Sequence, residues 1–315
     1  MAYLIGTDPE LFVTKGGKLQ SAFGLIKGDK KNPFKVDKGA VQVDGMALEF
    51  NTDPTDNEDE FVNNIATVMS QLKDMVPEYE FFVEPTAQFG ADYIKAQPSE
   101  AKEMGCDPDY NAYTGEVNEK PDEDSPFRTA SGHIHIGWTE NEPEGCPFHF
   151  DECCEVAKQL DIYLGIPSLM FDNDNERRKM YGQAGSFRPK PYGMEYRVLS
   201  NAWLKHPELQ RWVFQQAQKA VEDLVEGKRA QDRIDSDIVR ALLRKNSCYS
   251  AKNHIEHYDF ISMPPIVNKE EEKEEKKQTG GGFIEPDAYV QELWKEPARI
   301  IPEPGLVEVR GVFFE

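Results

Sequence analysis

The chain has no run of about 18 apolar residues, and its opening, MAYLIGTDPE, lacks the basic start and apolar core of a secretory signal, so a soluble cytoplasmic protein is expected. Basic residues are scarce. The 36 Lys and Arg stand against 57 Asp and Glu, a net charge of −21 that repels phosphate backbones and anionic membrane surfaces alike. Neither nucleic acid nor a membrane is an expected partner. The five cysteines, Cys106, Cys146, Cys153, Cys154 and Cys248, form an odd set without CxxC spacing, which excludes a disulfide framework and a zinc knuckle. GxxxxGK[ST] and GxGxxG are also missing, so neither a P-loop nor a Rossmann cradle holds a nucleotide here. No internal repeat occurs.

What is present reads as one main α+β body. YLIGTDPELFVT alternates and is rich in β-formers, and AVQVDGMALEFNT reads as two short strands, or one bent strand, around an Asp-Gly step. Between Asn57 and Val76 the apolar residues Phe61, Ile65, Val68, Met69, Leu72 and Met75 recur at helical spacing behind a capping-type start. YEFFVEPTAQF reads as a strand, and residues 91–127 as a long aperiodic loop. Helices are expected at Asp151–Leu164, His206–Glu226 and Arg229–Lys245, with YGMEYRVLSNAW as a further strand. The irregular alternation favours a sheet with helices on one face over a doubly wound fold. The main domain is expected to span residues 1–266. NKEEEKEEKKQTGGG marks an acidic, Gly-rich linker over 267–282, followed by a helix and strand over 283–315 that return to the main domain.

One arrangement recurs three times. Asp8 and Glu10 in TDPELF, His133 and His135 in SGHIHIGW, and Glu195 and Arg197 in GMEYRVL each stand two apart, which puts both members on one face of a strand. Carboxylates and imidazoles gathered on one sheet face carry uncompensated buried charge unless they hold a cation or pair with one another. Glu49, in ALEFN, adds a carboxylate. A set so rich in oxygen suits Mg²⁺ or Mn²⁺ better than structural zinc. A basic cluster follows, with Arg177, Arg178, Arg188, Lys190 and Arg197 inside a very acidic chain, and guanidinium forks match phosphate oxygens. Acids that hold cations beside arginines spell a metal-nucleotide site. Plainer readings stand beside these. His149, His206, His254 and His257 read as structural, Asp44 as a turn residue with Gly45, and Arg177 or Arg178 as a partner in a helix-surface ion pair. Residues 105–113 fit a substrate lid or Asx-turn chemistry equally.

The ordered set TDPE, QVDGMALEFN, FRTASGHIHIG and RRKMYGQAGSFRPKPYGMEYRVLSN resembles the phage amidoligase-type 2 family, carboxylate-amine ligases of the glutamine synthetase-like superfamily, over roughly residues 5–205. The resemblance implies a curved, mostly antiparallel catalytic sheet and ATP-dependent joining of a carboxylate to an amine through an acyl phosphate, with two or more divalent ions. It assigns Asp8, Glu10, Glu49, His133 and Glu195 to metal. His135, Arg178, Arg188 and Arg197 fall to the nucleotide phosphates, with His135, Arg188 and Arg197 also taking part in the chemistry. Small-molecule or peptide carboxylates and amines are the implied partners, in the host cytoplasm if the chain is phage-encoded. The sequence departs from glutamine synthetases in its first strand, Asp-x-Glu rather than Glu-x-Glu, and in the spacing of Asp44 and Glu49, so glutamine synthesis itself is not expected. Two rivals remain: a catalytically silent ligase-like fold with a binding or structural role in a phage, and a metallohydrolase using the same histidines and carboxylates. The amine-deprotonating residue and the oligomeric state stay open.

Overall fold

The computed structural model describes residues 3–102, 109–119, 125–143, 145–172, 174–245 and 248–267. The expected linker beyond 267 and the C-terminal helix and strand lie outside the described residues.

The strands are β1 (Leu4–Thr7), β2 (Glu10–Lys15), β3 (Lys18–Gln20), β4 (Phe34–Val36), β5 (Gly39–Asp44), β6 (Ala47–Thr52) and β7 (Glu80–Phe82). Then come β8 (Thr86–Gln88), β9 (Tyr110–Asn111), β10 (Phe127–Thr129), β11 (Ile134–Gly137), β12 (Ser186–Lys190) and β13 (Gly193–Tyr196). The helices are α1 (Glu58–Met75), α2 (Ala91–Lys95), α3 (Ser99–Lys102), α4 (Pro147–Leu160), α5 (Ile166–Ser168), α6 (Asn175–Met180), α7 (Pro207–Val225), α8 (Ser236–Lys245) and α9 (Cys248–Ile255).

Two antiparallel sheets carry the architecture. The first has the order β1-β11-β13-β12-β9, and the second β3-β2-β6-β5-β4 with β7 against β2. The chain from β1 to β2 bends at Pro9 and joins them: the amides of Asp8 and Glu10 donate to the carbonyls of His133 and Ser131, and Phe50 N–H donates to Pro9 O. The α+β class with mostly antiparallel sheets therefore holds.

Strand parity decides what each face of the first sheet presents. Ile5, Ile134, Ile136, Met194, Tyr196 and Phe187 point to one face and are fully buried. Helices cover that face, with Phe150 of α4 lying 5.4 Å from Phe187 between ring centroids. In the same helix layer Phe61 of α1 packs 5.4 Å from Phe214 of α7. Helix α1 starts as its sequence predicts, with the Asn57 side chain accepting from the Glu60 amide at 2.9 Å.

Several expected elements differ. YEFFVEPTAQF splits into β7 and β8 across Pro85, whose carbonyl is taken by Ala130 N–H. The stretch read as a bare loop holds α2, α3 and β9. Arg229–Lys245 is a 3₁₀ turn, Ala230–Asp232, followed by α8, because Asp235 caps the amides of Asp237 and Ile238 and starts a new helix. β12 was hidden by Pro189. That proline is tolerated because β9 pairs only with Ser186 and Phe187, which leaves β12 an edge at Pro189. No helix among the described residues is long and apolar enough to cross a membrane.

Candidate active site

The opposite, cavity-facing side of the first sheet carries the chemistry. Gly6, His135, Glu195 and Arg188 lie directly opposite one another across β1, β11, β13 and β12. Two residues along each strand, the same face presents Asp8, His133, Arg197 and Lys190. The second sheet contributes another row: Glu10 of β2 faces Glu49 of β6, which faces Gln42 of β5. Both rows line one cavity of about 1190 Å³. Volumes of this size hold a nucleotide or a drug-sized ligand.

At the centre, His135 Nε2 lies 3.1 Å from Asp8 Oδ1, and His133 Nδ1 lies 3.4 Å from Asp8 Oδ1 and 3.3 Å from Glu195 Oε1. Asp8, His135 and Glu195 each offer a ligand atom within 4.8 Å of the others. Asp8 Oδ1, His133 Nε2 and His135 Nε2 are buried without a hydrogen-bond partner, so Asp8 and His135 approach closely without the geometry of a hydrogen bond. At Asp8 and His135, lone pairs that converge but do not bond are what a shared cation satisfies. The residues present therefore fit a divalent ion.

The electrostatics separate the two histidines. Burial, with the Arg197 charge, pushes His133 down to about 4, leaving a neutral imidazole able to ligate. Burial opposes the charge of His135, but Asp8 and Glu195 outweigh it and raise its pKa. Burial alone would raise Asp8 too, yet His135 and His133 hold it well below the usual carboxylate range. Distance thus groups His135 with the metal acids, whereas protonation favours His133. A cation between Asp8 and His135 would compete with a proton for the His135 nitrogen.

Glu195, 1% exposed, is ringed by cations. Arg188 Nη1 and Lys190 Nζ each lie 3.1 Å from its Oε2, and Arg197 Nη1 meets its Oε1. Arg197 Nε also lies 3.6 Å from Asp109, and the Tyr181 ring sits 5.1 Å from its guanidinium. Across the cavity, burial and the charge of Asp44 push Glu10 up to about 7 and Glu49 well above its usual value. Gln42 donates to Glu49 at 2.7 Å, and Lys30 pairs with Asp44 at 2.8 Å. One end of the cavity thus wants cations and the other wants anions.

The structure brings together Asp8, Glu10, Glu49, His133, His135, Arg188, Glu195 and Arg197. It does not bring Arg178. That side chain is buried away from the cavity, 3.1 Å from Asp172 Oδ2 and 3.1 Å from Ser168 Oγ, because α6 turns it toward the helix layer. Arg177 is structural as well, donating to the carbonyls of Val198 and Leu199 at 2.8 Å and so clamping the chain that leaves β13. Sequence reasoning undervalued Asp44, which both forms the β5–β6 turn with Gly45 (φ 56°) and lines the cavity. Its parity with Gln42 was the available signal. Asp109, inside an aperiodic stretch, offered none.

The fold and site define an α+β protein whose cavity sets carboxylates and histidines against a guanidinium and ammonium wall. The sequence model of the family described as "Phage phiEco32-like COOH.NH2 ligase-type 2" matches residues 126–255, the same family that the motifs resemble. The match contains His133, His135, Arg188, Glu195 and Arg197, while Asp8, Glu10 and Glu49 precede it. A search of curated proteins gave no match.

Proposed function

We propose that the protein is an ATP-dependent carboxylate-amine ligase on a glutamine synthetase-like sheet, forming an amide or peptide-like bond through an acyl phosphate. The observation that carries this reading is the juxtaposition, on one sheet face, of unsatisfied atoms of Asp8, His133 and His135 with Glu195 and the Arg188, Lys190 and Arg197 wall that surrounds it. The family's name, carboxylate-amine ligase, supports it. A metallohydrolase has no use for so many cations beside its acids.

A carboxylate is a poor electrophile, and phosphorylation gives it a good leaving group. Asp8, His133 and Glu195 would hold one divalent ion and Glu10 and Glu49 another, and such ions neutralise ATP phosphate charge. Arg188, Lys190 and Arg197 then bind the oxygens of the transferring phosphoryl group, where charge spreads in the transition state. His135, held at Nδ1 by the Tyr192 hydroxyl at 2.5 Å, keeps its other nitrogen aimed into the cavity. Asp44, which lines the cavity beside Glu10 and Glu49, also suits an incoming amine and can take its proton as it attacks. The test is phosphate release from ATP with pooled amino acids, polyamines and peptides, with mass spectrometry of the products. Hydroxylamine as a surrogate amine should yield a hydroxamate from any acyl phosphate. Absence of ATP turnover and of hydroxamate across the pool would reject the reading.

A further inference from the structure

Behind the catalytic face, on the side covered by helices, lies a polar cluster that the proposed chemistry does not use. Asp161 is fully buried where α4 gives way to a π-helical turn, Asp161–Gly165. Its Oδ1 accepts from the Tyr196 hydroxyl at 2.7 Å and its Oδ2 accepts from the Tyr113 hydroxyl at 2.9 Å, while the Gly185 backbone amide favours its charged form. These three residues come from three segments that build the cavity wall on the far side. Tyr196 lies on β13 between Glu195 and Arg197. Gly185 immediately precedes β12, which carries Arg188 and Lys190. Tyr113 follows β9, just after Asp109, the acid facing Arg197 Nε.

The surrounding backbone is shaped for this cluster. A Cβ on Gly165 would stand 2.8 Å from the Tyr196 hydroxyl, and one on Gly185 would stand 2.7 Å from the Tyr113 ring. Gly185 also takes a φ of +74°, which a side chain rarely adopts. π-Turns inside helices recur where a functional residue must be presented. Asn111 completes the tie, accepting from the Tyr113 amide at 2.9 Å and donating to Ala184 O at 3.3 Å.

We propose that Asp161 is a positioning residue: from behind the sheet it fixes the Asp109 loop, the entry to β12 and strand β13 against one another, and so sets the spacing of Arg188, Lys190 and Arg197. Only the phosphate-binding role of that wall rests on the ligase reading. Breaking one tether should loosen the wall without unfolding the chain, because Tyr113 sits on an edge loop and its ring contact with Gly185 does not need the hydroxyl.

The experiment uses the full chain and three proteins: wild type, Tyr113→Phe, and Tyr163→Phe as control. Tyr163, in the same turn as Asp161, donates to Asp223 of α7 at 2.6 Å, a tyrosine–carboxylate pair that ties the turn to the helix layer and not to the sheet. Two quantities are read, hydrogen exchange over residues 109–115 and affinity for inorganic tripolyphosphate, with thermal unfolding alongside. Loss of a buried hydrogen bond to a carboxylate predicts roughly tenfold faster exchange over 109–115 in Tyr113→Phe and roughly tenfold weaker tripolyphosphate binding, with the unfolding midpoint lowered no further than in Tyr163→Phe. Tyr163→Phe should lower the midpoint yet leave both readouts as in wild type. Unchanged exchange in Tyr113→Phe, or equal loss of affinity in both variants, overturns the proposal. A wild type that takes no tripolyphosphate counts against the phosphate role of the wall, and the exchange measurement still decides the role of Asp161.

Discussion

Arg197 shows how much a single side chain can carry, because its Nη1 meets Glu195 while its Nε faces Asp109. Replacement by Lys keeps the charge but removes the fork that can hold two phosphate oxygens at once. Arg197→Lys should lower kcat on the order of 10²-fold with the fold intact, and nucleotide affinity should fall less. If Arg197 only pairs with its acids, steady-state kinetics and melting on the same preparation will instead show a lowered midpoint and near-normal kcat. Glu10 gives a pH signature of the opposite sign to the usual surface acid. Burial and Asp44 push it from 4.5 to about 7, so between those values the folded state holds a proton that the unfolded chain has released. Stability is then greatest below about 4.5 as far as this group is concerned, and it declines by about 3 kcal/mol as the pH rises through 7. Urea melts of ligand-free protein from pH 5 to pH 8 should show that decline, flattened in Glu10→Gln; identical slopes would sink the assignment. Most of these residues were legible because strands have period two, which set His133 with His135 and Glu195 with Arg197 on one face, whereas Asp8 and Glu10, expected on one strand face, are parted by the bend at Pro9 onto two sheets that line the same cavity. Arg178 was misjudged because charge in a helix carries no such parity. A basic cluster in sequence does not say which of its members α6 turns inward.

At the scale of elements, the catalytic row depends on how closely β11 and β13 approach, and Gly137 and Gly193 face each other in that ladder. They are not equivalent. A Cβ on Gly193 would stand 2.0 Å from Ile136 O, at a φ of +151°, whereas one on Gly137 would meet nothing nearer than 3.5 Å. Gly193→Ala should therefore destabilise by on the order of 3 kcal/mol and disturb the His135–Glu195 pairing, while Gly137→Ala should cost well under 1 kcal/mol. Equal unfolding free energies in denaturant would show that the ladder yields more easily than its backbone contacts imply. The elements legible in sequence were those with one dominant period, such as α1, α7 and the β5–β6 hairpin at Asp44–Gly45. Those that were missed have competing signals. β12 contains a proline, β9 is two residues long inside a polar stretch, and the helix expected from Arg229 is interrupted by an Asp235 cap that also reads as ordinary helix-surface charge.

For the molecule as a whole, a net charge of −21 and a cavity that crowds Asp8, Glu10, Asp44 and Glu49, with Asp8 Oδ1 left without a hydrogen bond, make this site costly to fold without a cation. Burial first, and the Asp44 charge second, hold Glu10 and Glu49 away from their ordinary ionisation, and Asp8 Oδ1 goes unbonded, so part of the folding free energy is spent on desolvated acids that a cation would satisfy. Divalent ions should consequently bind the folded chain and not the unfolded one. At about 100 times its dissociation constant, Mg²⁺ or Mn²⁺ should add roughly 2.7 kcal/mol to the unfolding free energy. In a chain of this size that raises the melting midpoint by roughly 5 °C, and a chelator should reverse the rise. Screening of the general negative charge would produce a shift too, but monovalent salt at matched ionic strength would reproduce it, and it would survive removal of any single acid. The site-specific effect should vanish in Asp8→Asn and shrink in Glu49→Gln, while Glu58→Gln, at an α1 residue outside the cavity, leaves it intact. A divalent-ion shift that matches the monovalent control, or that persists in Asp8→Asn, would show that the converging lone pairs hold no ion and that the cavity's acids serve the amine alone.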